Sequence, residues 1–178
     1  IIELRRKHPK AVVCSYVNPT ADVKAEPDIC CTSANAVEVI SGLGARQVIF
    51  APDRNLAAYV ARKVNAEIIP FSGYCYVHQR FSRDDVVEAK RAHPEAVVIV
   101  HPECNPEVID VADHVLSTSG MIKFARESSA REFIVATEEG LLGRMGRELV
   151  DKRFYSPGKA RYCFNMKKTR LEDVAKSL

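Results

Sequence analysis

The chain contains no run of five or more Lys or Arg residues. It therefore lacks the electrostatic footprint of a nucleic-acid binder. Long apolar stretches are missing too. Its apolar runs are only about five residues long, as at 96–100, whereas a membrane-spanning helix needs roughly 20. No secretory pattern opens the sequence, and no second cysteine lies close enough to Cys75 to make a CxxC pair. These absences argue against nucleic acid and membrane as partners.

What is present is 178 residues, 47% of them hydrophobic, with six cysteines and a net charge of +3. That is enough apolar content for a real core, in one ordinary domain or two small ones. Six cysteines without a secretory signal point to a reducing, cytoplasmic compartment, with most of them free thiols or metal ligands. Residues 1–10 read as the second half of an amphipathic helix, and 169–178 read as a helix barely begun. Both ends lead us to expect a fragment of a larger protein.

The strongest signal is an internal duplication. Shifted by 85 residues, "RRKHPKAVVCSYVNPTADVKAEPDICCTS" (5–33) meets "KRAHPEAVVIVHPECNPEVIDVADHVLST" (90–118). "RQVIFAPDRNLAAYVARK" (46–63) meets "REFIVATEEGLLGRMGRE" (131–148) at the same shift. The shift then grows to 88, and Cys75 falls on Cys163.

Each copy alternates short apolar runs with helical patterns. In the first, "AVVCSYV", "DICCT", "RQVIFA" and "EIIPF" read as strands. "SANAVEVISGLG" reads as a helix capped by Thr32 or Ser33, and "RNLAAYVARKV" as another. Ser82 opens a helix with acidic residues in its first turn, and Thr169 with Glu172 has capping-box spacing at the equivalent place. Continuous apolar strands alternating with helices predict short parallel sheets covered on both faces. The expected fold is α/β, as tandem three-layer αβα domains related by duplication. We expect units at 1–82 and 83–168, followed by the start of a C-terminal helix at 169–178.

In such sheets ligands gather beyond the carboxyl ends of the strands. That edge collects "YVNP" (16–19), "HPEC" (101–104), "CTS" (31–33), "STS" (117–119) and both Cys75 and Cys163. If the two units face each other, they should enclose one polar cavity.

Free cysteines are most often small buried hydrophobes. Cys75 and Cys163 depart from that reading because they occupy equivalent loops. The other four have no cysteine counterpart at a shift of 85. Two thiolates point to a metal centre but do not complete one. Zinc wants four ligands or three plus water, and an iron–sulfur cluster wants further cysteines. His78 is either a loop histidine at the surface or a phosphate, carboxylate or metal neighbour. Glu103 beside His101 is a charged residue at a strand end, costly there unless used or paired. Tyr16 and Asn18 hold the matching places in the first copy. Ser33, Ser117 and Thr118 stand at strand-to-helix junctions, where capping and carboxylate binding are both open to them. Cys14, Cys30 and Cys31 read as strand packing, and His8 and His93 as solvated turn residues. Cys104 falls opposite Pro19, so the repeat gives it no support.

Taken in order, "YVNPTADVKAEPDICCTSANAVEVI", "PDRNLAAYVARK", "CYVHQRF", "HPECNPEVIDVADHVLSTSGMIKF" and "CFNMKKTRLEDV" resemble the quinolinate synthase family of NAD biosynthesis. The resemblance covers essentially the whole chain. It implies three homologous α/β domains about a pseudo-threefold axis, each giving one cysteine to a 4Fe-4S cluster. This chain would then be the second and third domains, with Cys75 and Cys163 as two cluster ligands and the third in an absent first domain. The implied reaction condenses iminosuccinate (iminoaspartate) with dihydroxyacetone phosphate to quinolinate, with loss of phosphate and water. L-aspartate oxidase or aspartate dehydrogenase would be the functional link that supplies iminosuccinate.

The resemblance further implies that Tyr16, Asn18, Ser33, His101, Glu103 and Thr118 contact iminosuccinate, with Ser117 and His78 at further active-site positions. The cluster would act as a Lewis acid. Glu103 and Tyr16 would shuttle protons, with His101 fixing orientation. Two departures stand at the site: Tyr76 follows Cys75 where the family has Pro, and Ser119 is an extra residue before Gly120. Two other classes compete. One is a zinc-dependent lyase or hydrolase using Cys75, Cys163 and His78; the other is a non-catalytic dicarboxylate-binding tandem module.

Overall fold

The central apolar runs become strands buried on both sides, while the edge strands are only partly covered. The computed structural model describes all of residues 1–178. The first half runs α1 (Ile2–Lys7), β1 (Val12–Tyr16), α2 (Ala21–Lys24), β2 (Ile29–Cys31), α3 (Ala36–Gly42), β3 (Gln47–Ala51), α4 (Arg54–Ala61) and β4 (Glu67–Pro70). The second runs α5 (Arg83–Ala92), β5 (Val97–Val100), α6 (Pro106–Ile109), β6 (His114–Val115), α7 (Thr118–Glu127), β7 (Glu132–Ala136), α8 (Glu139–Glu148) and β8 (Arg153–Tyr155), with α9 (Leu171–Ser177) last.

Two four-stranded, all-parallel sheets result, ordered β2-β1-β3-β4 and β6-β5-β7-β8. Their registers repeat at the shift seen in the sequence. Cys14 pairs with Ile29 as Ile99 pairs with His114, and Val12 pairs with Val48 as Val97 pairs with Phe133. The first extra residue enters before β8, where Glu132 pairs with Arg153 against Gln47 with Glu67.

Alternation along the strands sorts the core into layers. Val48 and Phe50 of β3 pack with Cys14, Ile40 of α3 and Leu56 and Val60 of α4. Ile49 turns the other way, with Val13, toward Leu4 of α1. In the second sheet Val98, Val100, Ile134 and Ala136 face Val86 of α5 and Val108 of α6. Ile99, Phe133 and Val135 face Met121 of α7 and Met145 of α8. Each sheet is thus the middle of three layers, and each large buried aliphatic or aromatic side chain contributes about 1.5–3 kcal/mol.

An aspartate closes the same gap in both sheets. Asp28 Oδ2 accepts from the Val13 amide and Asp113 Oδ2 from the Val98 amide, both at 2.8 Å. Each satisfies a strand N–H that has no carbonyl partner within the ladder.

Several boundaries differ from the sequence reading. The short helices α2 and α6 were not expected. Asn35, not Thr32 or Ser33, is the residue before α3, and its Oδ1 reaches back to the Thr32 amide (2.7 Å) and hydroxyl (2.9 Å). Ser82 caps α5 as expected, in a box with Asp85. The equivalent start of α9 is displaced one residue from Thr169 and Glu172. Arg170 precedes that helix, and its amide donates to Asp173 at 2.9 Å. The reason is the shift of 88, which aligns Ser82 with Arg170. Cys14, Cys31 and Cys104 are buried, but Cys30 is exposed and does not pack, because alternation turns it out of the edge strand. His93 is half-buried and stacks on Tyr155, with ring centroids 3.5 Å apart, rather than standing in solvent.

Candidate active site

The carboxyl ends of both sheets converge at the loop after β4. There a 3-10 turn over His78–Arg80 follows Cys75, and its counterpart over Met166–Lys168 follows Cys163. The first turn carries His78 across to the second sheet. Its Nδ1 lies 3.2 Å from Cys75 Sγ and 3.0 Å from Glu103 Oε2, and its Nε2 lies 3.0 Å from Thr137 Oγ1. Its ring stacks on His101, with centroids 4.3 Å apart and planes 17° apart. His101 Nδ1 is in turn 3.4 Å from Glu103 Oε2. His78, His101, Glu103 and Thr137 are all buried.

Burial alone disfavours the charged form of His78. Hydrogen bonds and negative charge from Cys75 and Glu103 outweigh it and push its pKa up to about 9. His101 moves the opposite way. Burial, then the neighbouring His78, holds it well below the ordinary histidine range. The stack therefore pairs one cationic and one neutral imidazole at neutral pH. Burial also raises the Tyr16 phenol; Ser33 works against this, while Glu103, Cys31 and Cys75 add to it. The Tyr16 phenol is thus within electrostatic reach of Glu103 and Cys75, with Ser33 as its own neighbour.

Asn55, on α4, ties the two sheets together. Its Nδ2 donates to the Glu103 carbonyl and to Gln79 Oε1, both at 3.1 Å. Asn105 Nδ2 donates to the carbonyls of Gln79 (3.0 Å) and Phe81 (3.1 Å). The HPEC turn and the Cys75 loop are thus held by shared backbone contacts. Cys104 points away, into the core beside Phe81, Val100 and Ala136, and burial raises its thiol pKa.

Of the residues singled out by sequence, the structure brings together Cys75, His78, His101 and Glu103, and sets Tyr16 within electrostatic reach of them with Ser33 as its neighbour. Cys163 joins them through Tyr76, whose hydroxyl lies 3.4 Å from Cys163 Sγ. Ser117 is committed to capping α7, accepting from the Gly120 amide at 3.2 Å. Asn18 and Thr118 are exposed at the strand ends and make no hydrogen bond to this group. Clefts of about 560 and 250 Å³ both lie on the second sheet, around α5, and none of these side chains lines them.

Asp53, Asn55, Thr137 and Glu138 belong to the site but were not foreseen in the sequence. Asp53 and Glu138 were legible in principle, because they align at the shift of 85 within "PDRN" and "TEEG". Asp53 is buried, which raises its pKa to about 6. Amides of Leu56, Cys75 and Asn55 oppose that rise, and Glu103 adds to it.

Two donor sets emerge. Cys75 Sγ, His78 and Glu103 offer ligand atoms all within 4.8 Å of one another, a mixed S, N and O set of the kind zinc accepts. Cys75 and Cys163 offer two part-exposed thiols, neither in a disulfide, a soft pair suited to an iron–sulfur cluster. Their loops are equivalent, and Tyr76, the residue after Cys75, places its hydroxyl 3.4 Å from Cys163 Sγ, so the residues present fit two legs of such a cluster.

All residues 1–178 match the family model described as Quinolinate synthetase A protein. The chain is 52% identical over 174 residues to a quinolinate synthase of Methanoregula boonei, covering 98% of the chain and 58% of that protein. It is 53% identical to one from Desulforudis audaxviator (94% and 55% covered) and 51% identical to one from Methanosarcina barkeri (98% and 57% covered). The chain thus spans somewhat over half the length of the curated relatives it matches.

Proposed function

The chain belongs to the quinolinate synthase family of enzymes, and on that premise we propose that the protein carrying it condenses iminosuccinate with dihydroxyacetone phosphate to quinolinate, with loss of phosphate and water. The convergence of His78, His101, Glu103 and Cys75 on one strand-end edge carries this reading. It supplies an acid–base pair and a metal-ligating thiol within hydrogen-bond reach of one another.

Cys75 and Cys163 would hold a 4Fe-4S cluster, with a further ligand from outside this chain. When bound, the cluster supplies Lewis acidity toward a substrate oxygen. The rest is the work of side chains. Glu103 takes up and returns protons during the dehydrations, and its carboxylate is held ready by His78. Tyr16, with its raised pKa, stays protonated and can donate. Neutral His101 orients the substrate without adding charge. Ser33 and Thr118 grip its carboxylates, Asn18 helps fix its orientation, Ser117 stands at the start of α7 as a further site position, and cationic His78 faces the phosphate or leaving oxygen.

The same reading divides the chain into family domains at 1–82 and 83–168, with 169–178 leading into and carrying the C-terminal helix α9. It makes the isolated chain inactive. It also sets the protein in the cytoplasm, supplied with iminosuccinate by L-aspartate oxidase or aspartate dehydrogenase. No helix is long and apolar enough to cross a membrane.

The decisive experiment is anaerobic purification of the full-length protein with iron, sulfide and zinc analysis, alongside Cys75→Ala and Cys163→Ala. We expect iron with sulfide in the parent, and loss of both with turnover in each variant. Stoichiometric zinc, kept in Cys163→Ala and lost in Glu103→Gln, would instead favour a zinc-dependent lyase or hydrolase in which Glu103 replaces the Cys163 expected from sequence. The Cys75, His78 and Glu103 donor set supports that alternative.

A further inference from the structure

Asp53 and Glu138 repeat one arrangement around two cysteines. Asp53 Oδ1 accepts from the Leu56 amide at 2.7 Å and so caps α4, while its Oδ2 accepts from the Cys75 amide at 2.7 Å. Glu138 Oε2 accepts from the Gly140 amide at 2.8 Å and caps α8, while its Oε1 accepts from the Cys163 amide at 3.2 Å. The next residue of each helix adds a second tie. The Arg54 amide donates to the Gly73 carbonyl (2.8 Å) and the Glu139 amide to the Arg161 carbonyl (2.9 Å). Gly73 and Arg161 each lie two residues before the cysteine. A third bond closes each loop, from Gln79 to the Cys75 carbonyl (2.9 Å) and from Lys167 to the Cys163 carbonyl (3.3 Å).

Capping alone does not explain the residue types. Asn or Ser caps a helix as well as Asp, and burying a carboxylate carries a desolvation cost those residues avoid. Asp53 and Glu138 are both buried. They differ in length by one methylene and reach different helix amides, yet each delivers its second oxygen to the cysteine amide. Two oxygens with no hydrogen of their own are what this double acceptance needs. Neutral Asn or Gln has only one such oxygen.

We propose that Asp53 and Glu138 are positioning residues that lock the backbones of Cys75 and Cys163, aim their sulfurs, and place a negative charge behind each metal-bound thiolate. This rests on the reading of the two cysteines as cluster ligands. The device acts through the cysteines and not on substrate, and its electrostatic part follows from the dependence of cluster potential on nearby charge and hydrogen bonding.

Asp53→Asn and Glu138→Gln test it in the reconstituted full-length protein. Each keeps one oxygen for the helix cap and turns an NH2 toward the cysteine amide. Lys167→Met serves as a control, because Lys167 Nζ also approaches Glu138 Oε1 at 3.4 Å. We expect a modestly lowered thermal midpoint because each cysteine amide loses its acceptor, cluster loss to a chelator accelerated about 10–100-fold, and a higher cluster reduction potential. In the cluster-free protein, iodoacetamide should label Cys75 at a changed rate in Asp53→Asn, and Cys163 in Glu138→Gln. Parental chelator rates and potentials in both variants, with the cluster lost outright in Cys75→Ala, would overturn the inference and leave the ligand reading standing. A cluster retained in Cys75→Ala and Cys163→Ala would sink the ligand reading instead, and the labelling rates would still decide whether the carboxylates lock the loops.

Discussion

His78 Nδ1 and Glu103 Oε2 are 3.0 Å apart although one follows the last strand of the first sheet and the other follows β5 of the second. This contact crosses the boundary between the repeated halves and puts an anion beside the cationic ring of a buried histidine stack. Glu103→Gln keeps the shape and removes the anion. We expect turnover of the full-length enzyme to fall about 10²–10⁴-fold, the range for loss of a positioned acid–base group, while bound iron is unchanged. Parental turnover in that variant would remove Glu103 from the proton path.

Asn55 is the buried tie between the halves. Asn55→Ala leaves the Glu103 carbonyl without its donor and should cost about 1–3 kcal/mol, read as a lower urea midpoint. The exposed Arg62–Asp110 pair, 2.6 Å apart across the same boundary, is a contrast. Arg62→Ala should change stability by about 1 kcal/mol or less. Equal effects from the two substitutions would refute the assignment of the tie to Asn55.

Gly73 has no room for a side chain. A Cβ there would stand 2.5 Å from the Pro52 carbonyl oxygen, a backbone atom that cannot swing away. Gly73→Ala must therefore displace the loop that carries Cys75. The expected outcome is a lower thermal midpoint, together with altered labelling of Cys75 and unaltered labelling of Cys163. Unaltered labelling of both would show that the loop absorbs the methyl without moving its cysteine.

Asp28 gives the pH prediction. The Val13 amide, and secondarily Arg5, hold its carboxyl below the ordinary value of 3.8. A depressed folded-state pKa stabilises the fold above the unfolded value and loses that contribution as pH falls through the folded one. Asp28→Asn should therefore lower the thermal midpoint at pH 7, with the gap from the parent narrowing only below about pH 4. The Asp28 side chain is 46% exposed, so solvent screening keeps the effect modest. A gap that stays constant down to pH 2 would mean that the carboxylate charge plays no part.

The architecture was readable because it is written twice. One copy of "AVVCSYV" is an ambiguous apolar run, but two copies at a constant shift, each followed by the same alternation, make the strand and the repeated α/β unit legible. Cys75 and Cys163 emerged the same way, and Glu103 emerged from the cost of a charge at a strand end. Helix starts were less legible. Thr32, Ser33 and Asn35 all carry capping chemistry, and only the path of the chain decides that Asn35 Oδ1 turns back to the Thr32 amide.

Asp53, Thr137 and Glu138 were hidden for a different reason. Nothing in "PDRN" or "TEEG" says which distant amide or imidazole will arrive at a free oxygen. The sequence by itself determined the α/β class, the duplication, the strand-end edge and the two equivalent cysteines, because apolar periodicity and repetition are local properties of the chain. Only the tertiary structure decided that His78 crosses to Glu103 and Thr137, and that two carboxylates hold the cysteine amides. Those are contacts between loops far apart in sequence, and they form where two sheets bring their polar ends together and exclude water.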